Sequence, residues 1–267
     1  MPIHVSTENR WLLRISKSAK PSLRLVCFPF AGSSASIFRP WIDRLPAEVE
    51  VLGVQLPGRE NRLREQYIRN MDEIVEHLER EIGPALDPPY VFFGHSLGSL
   101  IAYELLQRLE ATGRGRAELF VASGAPAPHT CISSGEPLTL TKEQIQRDLR
   151  KISGTDTTLL DNVELIALLL PMFQADFELY VNYRYRDAAP IKTPIVVIRG
   201  ADDIYISHQR QLEWNRHTHG QFLFHIVPGG HHFMIDSSEA VLGLINNYLK
   251  PILSRHIGCG LPIVQDA

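Results

Sequence analysis

Short apolar runs rich in β-branched and aromatic residues recur along the chain: 24–28 (RLVCF), 49–55 (VEVLGVQ), 90–94 (YVFFG), 118–124 (ELFVASG), 194–200 (PIVVIRG) and 222–229 (FLFHIVPG). Runs of this length, bounded by glycine, proline or charge, predict strands, and their near-continuous apolarity predicts strands covered on both faces. The stretches between them have another period. Met71–Ile82 places Ile74, Leu78 and Ile82 at helical spacing, and 97–109 does the same with Ile101, Leu105 and Leu109. A last helix is expected over 240–249, followed by a loose tail from Arg255. Alternation of this kind predicts an α/β fold: a doubly wound, mostly parallel sheet with helices packed on both faces.

The rhythm breaks at about 130–186. Two helical patterns, 141–151 and 159–182, follow each other with no strand between them, and Pro137, Gly154 and Pro171 punctuate the segment. It reads as a lid insertion, a small helical cap over the C-terminal edge of the sheet, with Pro171 interrupting its second helix. An ordinary helical layer is the alternative. Its apolar residues, among them Leu168, Leu169, Met172, Phe173 and Phe177, suit a core or an acyl channel.

At 267 residues, 44% hydrophobic and 21% charged, the chain is expected to form one domain over 1–267. A net charge of −3 gives no global positive field for nucleic acid or an anionic membrane. The first twenty residues lack a secretory pattern, and no apolar run approaches the ~20 residues of a membrane span, so a soluble cytoplasmic monomer is expected. Cys27, Cys131 and Cys259 are far apart and outside any CxxC spacing, which predicts reduced thiols, with Cys27 a small buried hydrophobe.

The most informative segment is 90–105, where Gly94-His95-Ser96-Leu97-Gly98 stands between an apolar strand and an amphipathic helix. The bare G-x-S-x-G pattern is weak, but strand before and helix after supply what a nucleophilic serine needs. A sharp strand-to-helix turn exposes the hydroxyl, and the flanking glycines let strand and helix approach. The N–H of Leu97, at the helix start, is a candidate oxyanion donor. Ser99 lies beyond the turn, and His95 reads as a residue that shapes it.

A serine nucleophile needs a base and a carboxylate to orient that base, in this fold in the order Ser, Asp or Glu, His. Asp203 is preferred over Asp202 in the loop after 194–200, and His231 over His232 after Gly229-Gly230. The His pair is not expected to bind a metal, since adjacent side chains converge poorly and no HExxH spacing is present; no cofactor is indicated. A second oxyanion donor is expected from Phe28-Pro29-Phe30-Ala31-Gly32-Ser33-Ser34, with Ala31 N–H preferred and Phe30 next. The run 58–69 is locally basic and suits an acidic partner or a phosphate; a solvated face of mixed charge is the alternative.

Seven motifs in order resemble one family: FPFAGSSASIFRPW near the start, LPGRE at 56–60, GHSLGSLIAYEL at 94–105, SGAPAPH at 123–129, GADD at 200–203, Trp214, and PGGHHFM at 228–234. Together they are similar to the type II thioesterases, stand-alone editing enzymes of polyketide and nonribosomal peptide synthesis with an α/β-hydrolase fold. The resemblance spans roughly residues 23–249. It implies hydrolysis of acyl groups from the phosphopantetheine arm of an acyl or peptidyl carrier protein by Ser96, Asp203 and His231, in trans. One departure stands out: the family often carries Gly-Gly where this chain has Gly32-Ser33, and a serine there is expected to narrow the loop or change its turn.

The triad alone does not select a thioester, because an oxyester follows the same path and a thiol of pKa near ~8.5 merely leaves with less protonation. A general carboxylesterase or lipase, a non-catalytic acyl-binding protein, and a chain-releasing thioesterase detached from a synthase remain alternatives.

Overall fold

Each of the six apolar runs becomes a strand, and one more strand precedes them. The computed structural model describes residues 9–16, 21–86, 89–131 and 163–257. Its strands are β1 (Leu12–Arg14), β2 (Leu23–Phe28), β3 (Val49–Val54), β4 (Tyr90–His95), β5 (Leu119–Ser123), β6 (Ile195–Gly200) and β7 (Phe222–Val227). They form one sheet in the order β1-β3-β2-β4-β5-β6-β7, parallel throughout except where β1 runs antiparallel to β3.

Side-chain alternation along each strand feeds two cores. Val26, Phe28 and Phe92 point to one face, where α1 (Met71–Ile82) and α2 (Leu97–Ala111) supply Ile74, Leu78, Ile101 and Leu105. Leu25, Cys27, Val91 and Phe93 point to the other, where Phe38 and Trp41 of a 3-10 segment and Val241 and Ile245 pack. The last two belong to α6 (Ser238–Ile257); between α2 and α6 the chain also forms α3 (Val163–Asn182), α4 (His208–Leu212) and α5 (Phe233–Asp236). Cys27 is fully buried, and that burial pushes its thiol well above the usual range, as befits a small hydrophobe.

Two expectations about helix ends need correction. Pro171 lies inside α3 and does not interrupt it, and Pro251 lies inside α6, which continues to Ile257, past the expected start of the tail. Proline deletes one backbone bond, and a helix fixed by its tertiary contacts tolerates that loss; Met172, Phe173, Ala175 and Leu179 supply such contacts in α3. The helix expected over 141–151, Cys259 and residues 258–267 lie outside the described residues.

The registers matter most for the site. Phe28 pairs with Gly94, His95 with Ser123, and Gly200 with Val227. Because these strands are parallel and end level, the loops that follow β2, β4, β6 and β7 emerge along one edge, where α/β sheets place their ligands. Among the described residues, no helix is long and apolar enough to cross a membrane.

Candidate active site

Ser96 sits at the turn from β4 into α2 with φ 52° and ψ −119°. A non-glycine residue in that region is strained by roughly 1–3 kcal/mol and must be held there by its surroundings. The surroundings are identifiable. Ser96 N–H donates to the Ser123 carbonyl at 2.8 Å, and the buried Ser99 hydroxyl donates to the Gly94 carbonyl at 2.7 Å. A Cβ on Gly94 would stand 2.5 Å from the Gly98 oxygen, so only glycine permits this approach of strand and helix.

The loops after β6 and β7 bring the base and its orienter to the serine. His231 Nδ1 lies 3.0 Å from Asp203 Oδ2, and His231 Nε2 lies 3.1 Å from Ser96 Oγ. Asp203 is buried, and its other oxygen accepts the N–H groups of Tyr205 at 2.9 Å and Ile206 at 3.1 Å. Burial alone would raise its pKa; the His231 hydrogen bond and charge, with the two backbone donors, outweigh it and hold the carboxyl below its ordinary range. An ionised carboxylate only accepts, so Nδ1 carries the imidazole proton and Nε2 is left to accept the serine hydroxyl proton. The separations lie within the reach of general-base catalysis.

Each sequence alternative separates cleanly in space. Asp202 points an exposed side chain outward while its N–H donates to the Gly229 carbonyl at 3.0 Å. His232 turns its ring against Phe30, with centroids 5.6 Å apart. His95 is fully buried, and burial, then the neighbouring His231 and His232, lower its pKa well below the usual value. It is therefore neutral: Nε2–H donates to the His231 carbonyl and Nδ1 accepts the Ser123 hydroxyl, each at 2.9 Å.

Leu97 opens α2, so its N–H is among the helix N-terminal donors without an intrahelical acceptor. Ala31 stands in the loop after β2, which lies directly against that helix start: a Cβ on Gly98 would be 2.2 Å from the Phe28 oxygen and 2.6 Å from that of Pro29. Ser33 is accommodated by closing a turn, its hydroxyl donating to the Phe30 carbonyl at 2.7 Å and its N–H to the same oxygen at 3.1 Å.

The basic run 58–69 is less available than its sequence suggests. Arg59 is 4% and Arg62 5% exposed, so neither forms a solvated face. Arg62 lies 4.3 Å over the Trp11 ring, donates to the Gln55 carbonyl at 2.7 Å and pairs with Glu65 at 2.6 Å. Arg59 pairs with Asp176 of α3 at 2.7 Å. Sequence reasoning missed Asp176 altogether. Its one signal was an acidic residue within the apolar stretch of α3. Of the expected acyl-channel residues, Met172 and Phe173 are buried, and Leu169 and Met172 line a cavity of about 280 Å³ with Ser33, Ser34, Glu60 and Leu63. The side chain of Leu168 lies outside what is described.

Comparison with known proteins gives the family. The thioesterase domain family model matches residues 23–249. The gramicidin S biosynthesis protein GrsT of Aneurinibacillus migulanus is 32% identical, over 95% of this chain and 99% of GrsT. The solved type II thioesterase BorB from the borrelidin biosynthetic cluster superposes with a TM-score of 0.81 at 30% identity, covering 90% of this chain and 97% of BorB. RedJ, a thioesterase of the prodiginine pathway in Streptomyces coelicolor, gives 0.79 at 32% identity, covering 87% and 92%. The chain has the α/β-hydrolase fold of these enzymes, and it belongs to the thioesterase family, among the type II thioesterases.

Proposed function

We propose that this thioesterase clears acyl groups from the phosphopantetheine arm of carrier proteins through a Ser96–His231–Asp203 triad. The observation that carries the reading is the continuous hydrogen-bonded series from Asp203 through His231 to Ser96. Ser96 Oγ attacks the thioester carbonyl while His231 Nε2 takes its proton. The resulting oxyanion is held by the N–H groups of Leu97 and Ala31. Collapse breaks the C–S bond, and the pantetheine thiol leaves with the proton from His231. Water then attacks the acyl-serine, giving its proton to His231, which returns it to Ser96 as the free acid departs.

YbtT, 26% identical with a TM-score of 0.76, is described as a type II thioesterase of the yersiniabactin NRPS/PKS pathway, which supports the same setting for this chain; stalled or aberrant acyl units are its substrates in this reading. In this reading the protein acts in trans as a cytoplasmic monomer, a single hydrolase domain; of the lid expected over 130–186, residues 132–162 lie outside the described residues. The test compares acyl release from a phosphopantetheinylated carrier protein with release of the same acyl group from a small thiol and from an alcohol. Ser96-dependent preference for the carrier is expected. Equal or better turnover of the alcohol ester would make this a general esterase.

A further inference from the structure

We infer that the buried Arg59–Asp176 pair is a positioning device for the oxyanion loop, coupling the placement of α3 to the peptide that carries the Ala31 N–H. The inference rests on the triad and oxyanion assignment proposed above. Arg59 Nη1 and Nη2 donate to Asp176 Oδ2 at 2.9 Å and Oδ1 at 2.7 Å, with the two side chains 4% and 1% exposed. A buried ion pair is a poor source of net stability, because desolvation offsets its attraction and apolar residues of similar volume often hold a fold as well. What this pair does with its remaining hydrogen-bonding capacity is therefore more telling.

Both partners reach the same short loop. Asp176 Oδ2 also accepts the Gly32 N–H at 2.7 Å, and Arg59 Nη1 also donates to the Ser33 carbonyl at 2.8 Å. Inside the loop, Ser33 donates to the Phe30 carbonyl from Oγ at 2.7 Å and from its N–H at 3.1 Å. The Phe30 carbonyl and the Ala31 N–H belong to one planar peptide, so holding the oxygen fixes the direction of the hydrogen. The Gly32 N–H is already engaged by Asp176, so of these two neighbouring donors the oxyanion role assigned above falls to the Ala31 N–H. The same helix adds a steric lock. Gly32 has φ +77°, and a Cβ there would stand 2.0 Å from Phe173 Cε1, so the Phe173 ring lies flush on the loop.

Oxyanion donors act through placement, and small displacements of a reacting group are costly, so loosening this clamp lowers turnover more than substrate binding. The chain Arg59–Asp176–Gly32 and Ser33–Phe30 thus gives Ser33 a role that glycine at that position lacks.

The test measures kcat, KM, the pH profile and inhibition by an acyl trifluoromethyl ketone, whose serine adduct mimics the tetrahedral oxyanion. The variants are the double substitution Arg59→Met with Asp176→Leu, and singly Asp176→Asn and Ser33→Ala. The double variant should fold, lose about 10- to 100-fold in kcat, keep KM within about threefold, and bind the ketone more weakly by the same factor as kcat. Ser33→Ala should shift kcat and ketone affinity together by a smaller factor, with the pH profile unmoved. A folded double variant with wild-type kcat and ketone affinity would overturn the inference, as would a loss spread over KM and the pH profile. If the double variant does not fold, Asp176→Asn and Ser33→Ala decide on the same criteria. Ser96→Ala separates the two levels: if it stays active, the triad reading fails, whereas an inactive Ser96→Ala beside fully active clamp variants removes the clamp alone.

Discussion

His95 Nε2 donates to the backbone carbonyl of His231 across 2.9 Å, so the residue beside the candidate nucleophile holds the loop of the candidate base. The contact spans 136 positions of sequence and ties the turn after β4 to the loop after β7. Its other nitrogen is satisfied by Ser123 at the end of β5, which fixes the neutral tautomer. Replacing His95 by Phe keeps an aromatic volume but strands the His231 carbonyl and the Ser123 hydroxyl. The expected outcome is a loss of about 1–3 kcal/mol in stability from the unsatisfied groups. Turnover should fall about tenfold or more, because the base loses its anchor. Denaturant melts and steady-state kinetics check both, and unchanged turnover would show that His231 needs no such support.

The two carboxylates of the β6 loop should behave oppositely. Asp203 is buried against His231 and two backbone donors, whereas the Asp202 side chain is exposed. Asp203→Asn replaces the obligate acceptor with a group that also donates, which favours the wrong imidazole tautomer, and turnover should fall by about 10³- to 10⁴-fold. Asp202→Asn should stay within about twofold. Parallel rates on one acyl thioester settle the ranking, and the reverse order would move the orienting role to Asp202.

Stability should fall with pH in a histidine window. Burial, then the charges of His129 and Arg216, lower His217 to about 4, and burial lowers His95 well below its usual value. Unfolded imidazoles titrate near ~6.5, so below that pH the unfolded chain binds protons that the native fold refuses. The stabilisation is therefore complete above about pH 6.5 and declines as pH falls toward the native values, by up to about 1.4 kcal/mol per pH unit for each histidine. The depressed Asp203 acts in the same direction, but only as pH falls below about 3.9. Urea midpoints should drop between pH 7 and pH 5, and a flat profile there would contradict neutral buried His95 and His217.

The strands and helices were legible because burial on two faces writes continuous apolar runs, and helix packing writes a period near 3.6 residues. The convergence of Ser96, Asp203 and His231 on one sheet edge was legible because each lies within a few residues of a strand end, in a turn that contains or follows glycine. β1 was not, since a three-residue edge strand offers too short a pattern and is defined by its antiparallel partner β3. Pro171 misled because a local rule yields to the tertiary contacts of α3. The Arg59–Asp176 pair was invisible for a different reason. Its members are 117 positions apart, and an arginine among arginines reads as a surface charge until the fold closes over it.

The serine mechanism is tested by comparing wild type with Ser96→Ala on one acyl thioester, with thermal melts of both. Ser96 carries a strained backbone and contributes its hydroxyl chiefly to chemistry, so a folded variant of undiminished stability is expected whose acyl release is lower by at least about 10³-fold. A folded Ser96→Ala protein that still releases the acyl group at the wild-type rate would contradict the serine mechanism.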